Sequence, residues 1–96
     1  MTTMTKKMMI ERIATNDEWL NRAVLRISST VADNTVNIGL DEQEIYNLNY
    51  WSGWIKTKRN LTGNFRDEAV KLVTSNKCAE YLWDVAVCTT TKGEIK

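Results

Sequence analysis

Residues Asp41 to Arg59 read DEQEIYNLNYWSGWIKTKR, and the fold class turns on this stretch. It opens as helices open. Asp41 is a strong N-cap, because its carboxylate accepts from the free N–H groups of a first turn. Glu44 stands three residues later, where a side chain reaches back to the N–H of the cap. Glu42 and Glu44 put negative charge at the positive end of the helix dipole, and Lys56, Lys58 and Arg59 put positive charge at the other. Between them Ile45, Leu48, Ser52 and Ile55 form one helical row, with Trp51 close by. Tyr46, Tyr50 and Trp54 form a second row. The apolar surface is wider than one core-facing stripe needs. Gly53 is unfavourable in a helix interior by about 1 kcal/mol against Ala. It suggests a close helix crossing between Trp51 and Trp54.

The neighbouring segments are also helical in pattern. Thr15 to Ser29 reads as the first helix, with Thr15 and Glu18 as a capping box. Trp19, Leu20, Ala23, Val24 and Ile27 share one face, and Arg22 and Arg26 form a solvated side. Met8, Met9, Ile10 and Ile13 suit either a helical turn or a leading strand. Ser28 to Leu40 reads as the longest irregular segment, and Val36 and Ile38 would also suit a short strand. After the Asp41–Arg59 stretch, RNLTGN makes a turn around Gly63. Asn64 is the expected cap of the next helix, with Phe65, Ala69, Leu72 and Val73 on one face. Thr74, Ser75 and Asn76 are poor helix formers. Beyond them Cys78, Leu82, Val85 and Ala86 lie on a rotated face, so a kink or a second helix is expected there. The expectation is a mostly α single domain over residues 1–96, with three or four helices and the 42–58 helix at its centre. A short strand or hairpin has room near the N-terminal part. Residues 1–8 and 89–96 read as flexible ends.

Composition narrows the function classes. The chain has 96 residues, enough for one modest core. It has no proline, which favours helices over a turn-rich sandwich. The formal net charge of +1 sets up no global attraction to nucleic acid or membrane. No stretch approaches a membrane span, and the N-terminal apolar run is too short for a signal peptide. The two cysteines, Cys78 and Cys88, are ten residues apart. On one helix they would stand about 15 Å apart, beyond the roughly 7 Å between Cα atoms that a disulfide tolerates. A reduced, cytoplasmic protein is expected.

Histidine is absent, and with it the commonest general base and zinc ligand. No nucleophile elbow or phosphate-cradling glycine loop occurs. The clustered acids are explained as helix starts, so the chain reads as non-enzymatic, with no cofactor or metal. Asp33 to Glu44 looks like an EF-hand calcium loop, with Asp33, Thr35, Asn37, Asp41 and Glu44 at the first, third, fifth, ninth and twelfth places and Leu40 at the apolar eighth. It departs from that pattern where a sharp turn needs glycine, because Ile38 fills the place and Gly39 comes one residue late.

Two binding readings remain. The aromatic surplus, four Trp and three Tyr, matches the residue types that carry interface energy. It points to protein contact through Tyr46, Tyr50, Trp54, Lys56, Lys58 and Arg59. A homodimer through the same helix is a further expectation. The alternative is a helix-turn-helix nucleic-acid binder using Lys56, Lys58, Arg59, Arg66 and Lys71. Against it, Asp67 and Glu68 would face the phosphates.

The DEWLNRAV segment at 17–24 and the WIKTKRNLT turn at 54–62, followed by EAVKLV at 68–73, resemble small orphan proteins of bacteriophages and other mobile elements. Anti-defence inhibitors, anti-CRISPR proteins among them, are prominent in that group. The resemblance spans about half of the chain. It implies a single domain without catalytic residues, built to bind and inhibit a host protein or protein complex inside the bacterial cell. It assigns no role to any individual residue.

Overall fold

A computed structural model describes residues 5–33 and 38–95, with side chains through Val85. Five helices follow one another: α1 (Lys6–Thr15), α2 (Asp17–Asp33), α3 (Glu42–Lys56), α4 (Gly63–Val73) and α5 (Asn76–Ile95). No strand occurs among the described residues. The mostly α expectation holds, while the count of three or four helices and the strand are corrected. Val36 of the expected strand, and Thr35 and Asn37 of the calcium-loop reading, lie outside the described residues.

The extra helix is α1. Met9 and Ile13, one turn apart, are both buried, which fixes the helical alternative for this run. Thr5 caps it, accepting from the Met8 N–H at 3.2 Å. Lys6 to Met8 are therefore helical, not part of a frayed end. The capping box expected at Thr15 is absent. Thr15 ends α1, and its hydroxyl donates back to the Glu11 carbonyl at 2.8 Å. Asn16 is the one residue between the helices. Its N–H closes α1 onto the Arg12 carbonyl, and its side-chain oxygen accepts from the Trp19 N–H at 3.2 Å. An Asn can serve both ends, because it tolerates the extended backbone and carries its own acceptor. Glu18 is left to pair with exposed Arg22 at 2.6 Å.

Helix α2 runs four residues further than expected, through Asp33. Ser28 and Thr30 are poor formers, yet both are buried with partners. The Ser28 hydroxyl meets Asn49 at 3.4 Å, and that of Thr30 meets the Tyr81 hydroxyl at 2.8 Å. Tertiary contact overrides propensity here. The same helix is the hub of the fold, since it touches α1, α3, α4 and α5. The central place expected for residues 42–58 thus belongs to 17–33. Leu20, Val24 and Ile27 are among its fully buried side chains, each stabilising by about 1.5–3 kcal/mol on burial.

Helix α3 has the predicted start. Asp41 accepts from Glu44 N–H at 2.8 Å, and Glu44 accepts from Asp41 N–H at 3.0 Å. Lys77 at the start of α5 reaches the same Glu44 at 3.2 Å and the Gly39 carbonyl at 3.0 Å. Helix α4 starts one residue before Asn64, at Gly63, with Thr62 in the cap position and no side-chain cap bond. The break at 74–76 is two helices, with the Ser75 carbonyl accepting from Ala79 N–H. Helix α5 then continues to Ile95 through the segment expected to be a loose tail. It does so despite the three threonines at 89–91 and Gly93, all unfavourable in a helix interior, in a segment without proline to remove a donor.

Candidate interaction surface

The two rows read on α3 part company. Leu48, Trp51 and Ser52 turn inward and are buried. Tyr46 and Tyr50 turn outward, 65% and 46% exposed, and Trp54 is half-buried. The first turn of α4 adds Phe65, also 46% exposed. Phe65 was expected in the core face of α4. It sits at the end of that face and packs on Tyr50 instead, with ring centroids 5.5 Å apart. Tyr50 and Trp54 lie nearly parallel at 6.5 Å. The large exposed hydrophobic side chains among the described residues are these three, Tyr46, Tyr50 and Phe65, and all belong to the α3 and α4 side of the molecule.

The turn from α3 to α4 completes the surface. Thr57 closes the helix, its hydroxyl donating to the Trp54 carbonyl at 2.6 Å. Lys58 then takes a left-handed backbone, φ 65°, a place where glycine is usual and a side chain is unfavourable by roughly 1–2 kcal/mol. That reversal brings the chain back over the α3 end. The Arg59 guanidinium lies 4.8 Å above the Trp54 ring. The Trp54 indole N–H donates to the Asn60 carbonyl at 3.2 Å. Leu61 is buried and pins the turn to the core. Trp54 is therefore held rigid between a helix and its own turn, with a cation on its outer face.

The basic residues divide. Lys56, Lys58 and Arg59 are exposed beside the aromatic seam. Arg66 is engaged: its Nε donates to Asp17 at 3.1 Å and its Nη2 to the Ala14 carbonyl at 2.7 Å. Lys71 lines a shallow groove between α3 and α4 that Glu44 and Glu68 share. The protein-contact set Tyr46, Tyr50, Trp54, Lys56, Lys58 and Arg59 thus lies along one helix and its turn. The nucleic-acid set is split by Arg66 and Lys71. Phe65 and Asn60 are the members that sequence reasoning missed. No spacing along the chain announces a contact between Phe65 and Tyr50, which only the α3–α4 packing creates.

The remaining chemistry is quiet. Among the described residues no three His, Cys, Asp or Glu side chains gather as metal ligands. In the calcium-loop reading, Asp41 and Glu44 are engaged with one another as the cap of α3. Helix α5 spans positions 78 and 88, and Cys78 is free and buried. Burial pushes the Cys78 thiol up, against a bond to Ser75 that pulls the other way, so it is a poor nucleophile. No helix of the described residues is long and apolar enough to cross a membrane. No family model matches the chain, and no curated protein or solved structure matches it.

Proposed function

We propose that this chain is a small non-enzymatic interaction protein that inhibits or modulates a host protein or protein complex by surface binding. The observation that carries the reading is the seam of Tyr50, Trp54 with its covering Arg59, and Phe65. Aromatic residues and arginine are the types that anchor interfaces, and rigid ones lose little entropy on docking. The resemblance to phage and mobile-element proteins supplies the context: a bacterial cytoplasm, and a defence complex as the class of target.

The test is affinity capture from bacterial lysate with and without nuclease, using the wild-type chain and a Tyr50→Ala/Phe65→Ala variant. Both positions are half exposed, so the variant should keep its helical circular dichroism. The expected result is one host protein captured by the wild type, resistant to nuclease and lost with the variant. Capture that disappears with nuclease and with rising salt would favour the helix-turn-helix reading. Capture that the variant retains would remove the seam from the reading.

A further inference from the structure

We infer that two copies of the chain pair through the strip of α3 that carries Tyr46 and Gly53, antiparallel, about a two-fold axis between those two residues. The inference goes beyond the docking reading and uses an adjacent strip of the same helix. Gly53 is its first support. It lies in the interior of α3, exposed, and a Cβ placed on it would meet nothing within 4 Å. Its backbone is not of the positive-φ kind that Gly39 and Gly63 show. Among the described residues, neither packing nor backbone conformation calls for glycine there, and no other helix comes within 4 Å of where its side chain would stand. A bare stretch of helix backbone is what a second body can approach.

Tyr46 supplies that body. It is the most exposed large hydrophobic side chain described, and it stands seven residues before Gly53. Seven residues make two turns less about 20°, or about 10 Å along the axis. The two positions therefore share one line on the helix surface. A two-fold axis midway between them lays each Tyr46 ring over Gly53 of the second copy. Beside Gly53, between α2 and α3, lies an open groove of about 570 Å³, with Asn49 and Lys56 on its α3 wall and Ser29 on its α2 wall. The groove gives the incoming phenol room and polar neighbours.

Charge fixes the direction. Glu42 is exposed one turn before Tyr46, and Lys56 is exposed three residues after Gly53. Antiparallel pairing about this axis brings Glu42 of each copy to Lys56 of the other. Parallel pairing would set acid against acid and base against base. The formal net charge of +1 per chain does not oppose association. Tyr50 stands at the edge of the paired strip beside the axis, while Trp54, Arg59 and Phe65 lie toward α4, off that strip, so the dimer leaves the Trp54–Arg59–Phe65 part of each docking seam open.

The test is sedimentation of the purified chain over a wide concentration range. The wild type should reach a dimer. Glu42→Lys and Lys56→Glu should each weaken self-association by about tenfold or more, since each sets like charges together. An equimolar mixture of the two should associate as tightly as the wild type, because only the mixed pair has both contacts of opposite sign. Gly53→Ala should raise thermal stability and yet weaken dimerisation, a pair of signs that a merely structural glycine would not give. A wild type that stays monomeric, a mixture no tighter than its components, or a Gly53→Ala dimer of full strength would each overturn this pairing. None of them would touch the docking reading, which capture with an Arg59→Ala/Phe65→Ala variant decides separately, since both positions are exposed and stand off the paired strip.

Discussion

Arg66 shows how one side chain can serve the fold where its charge suggested a ligand. Its guanidinium bridges the last turn of α1, through the Ala14 carbonyl, and the first turn of α2, through Asp17. The Ala14 carbonyl stands at the negative end of α1, where a cation is favoured. The bond to it is charge-assisted and part-buried, in the class worth about 1.5–3 kcal/mol. The Asp17 side chain is about half exposed, so that half of the bridge contributes under about 1 kcal/mol. Arg66→Ala should thus cost about 2 kcal/mol, read as a lower urea midpoint with an unchanged slope. Asp17→Ala should cost less than half as much. Arg66→Lys should recover only part of the loss, because an ammonium lacks the planar fork that addresses two acceptors at once. Equal losses for Asp17→Ala and Arg66→Ala would mean that the ion pair, not the carbonyl bond, is the stabilising half.

At the scale of the element, the start of α3 is the best-specified boundary. Asp41→Ala removes the reciprocal bonds with Glu44 and should cost about 1 kcal/mol, while Asp41→Asn should stay close to wild type, since both residues cap well. Thermal unfolding checks it, with about 4–8 °C expected per kcal/mol in a domain of this size. This boundary was legible because its whole signal is local, two carboxylates three residues apart. Other boundaries were not local in that way. Thr15 and Glu18 imitate a cap that Asn16 provides, and the two patterns differ by one position. Thr62 is a favoured cap type but starts α4 without a side-chain cap bond, and Asn64 two residues on is an equally favoured cap, so residue type alone did not choose between them. Ser28 and Thr30 look like loop residues until Asn49 and Tyr81 come within reach from 21 and 51 positions away. The candidate site divides likewise. Periodicity placed Tyr46, Tyr50 and Trp54 on one row of α3. It could not say that this row faces outward, because inward and outward are properties of the neighbours.

The neighbours are arranged around α2, and the stability of the whole molecule should follow that arrangement. Helix α2 touches each of the other four helices, and Leu20, Val24 and Ile27 are at most 1% exposed. By contrast α3 turns Tyr46 and Tyr50 to solvent and α4 does the same with Phe65. Opening α3 or α4 exposes part of one core face, whereas opening α2 exposes a face of every helix at once. Backbone amides in the middle of α2 should therefore exchange only through global unfolding, and those of α3 through a cheaper local opening. Native-state hydrogen exchange in low denaturant measures this directly, as slopes near the global value for Ala23 to Ser28 and smaller ones for Asn49 to Gly53. Ile27→Ala should cost about 2–5 kcal/mol through lost burial and a residual cavity, out of a total on the order of 5–15 kcal/mol. It should lower the exchange protection of all five helices together. If α3 amides prove as protected as those of α2, then α3 opens only with the whole molecule. In the monomer that outcome would contradict the hub. In a dimer it would follow from the antiparallel pairing, and Glu42→Lys would separate the two by restoring the local opening of α3.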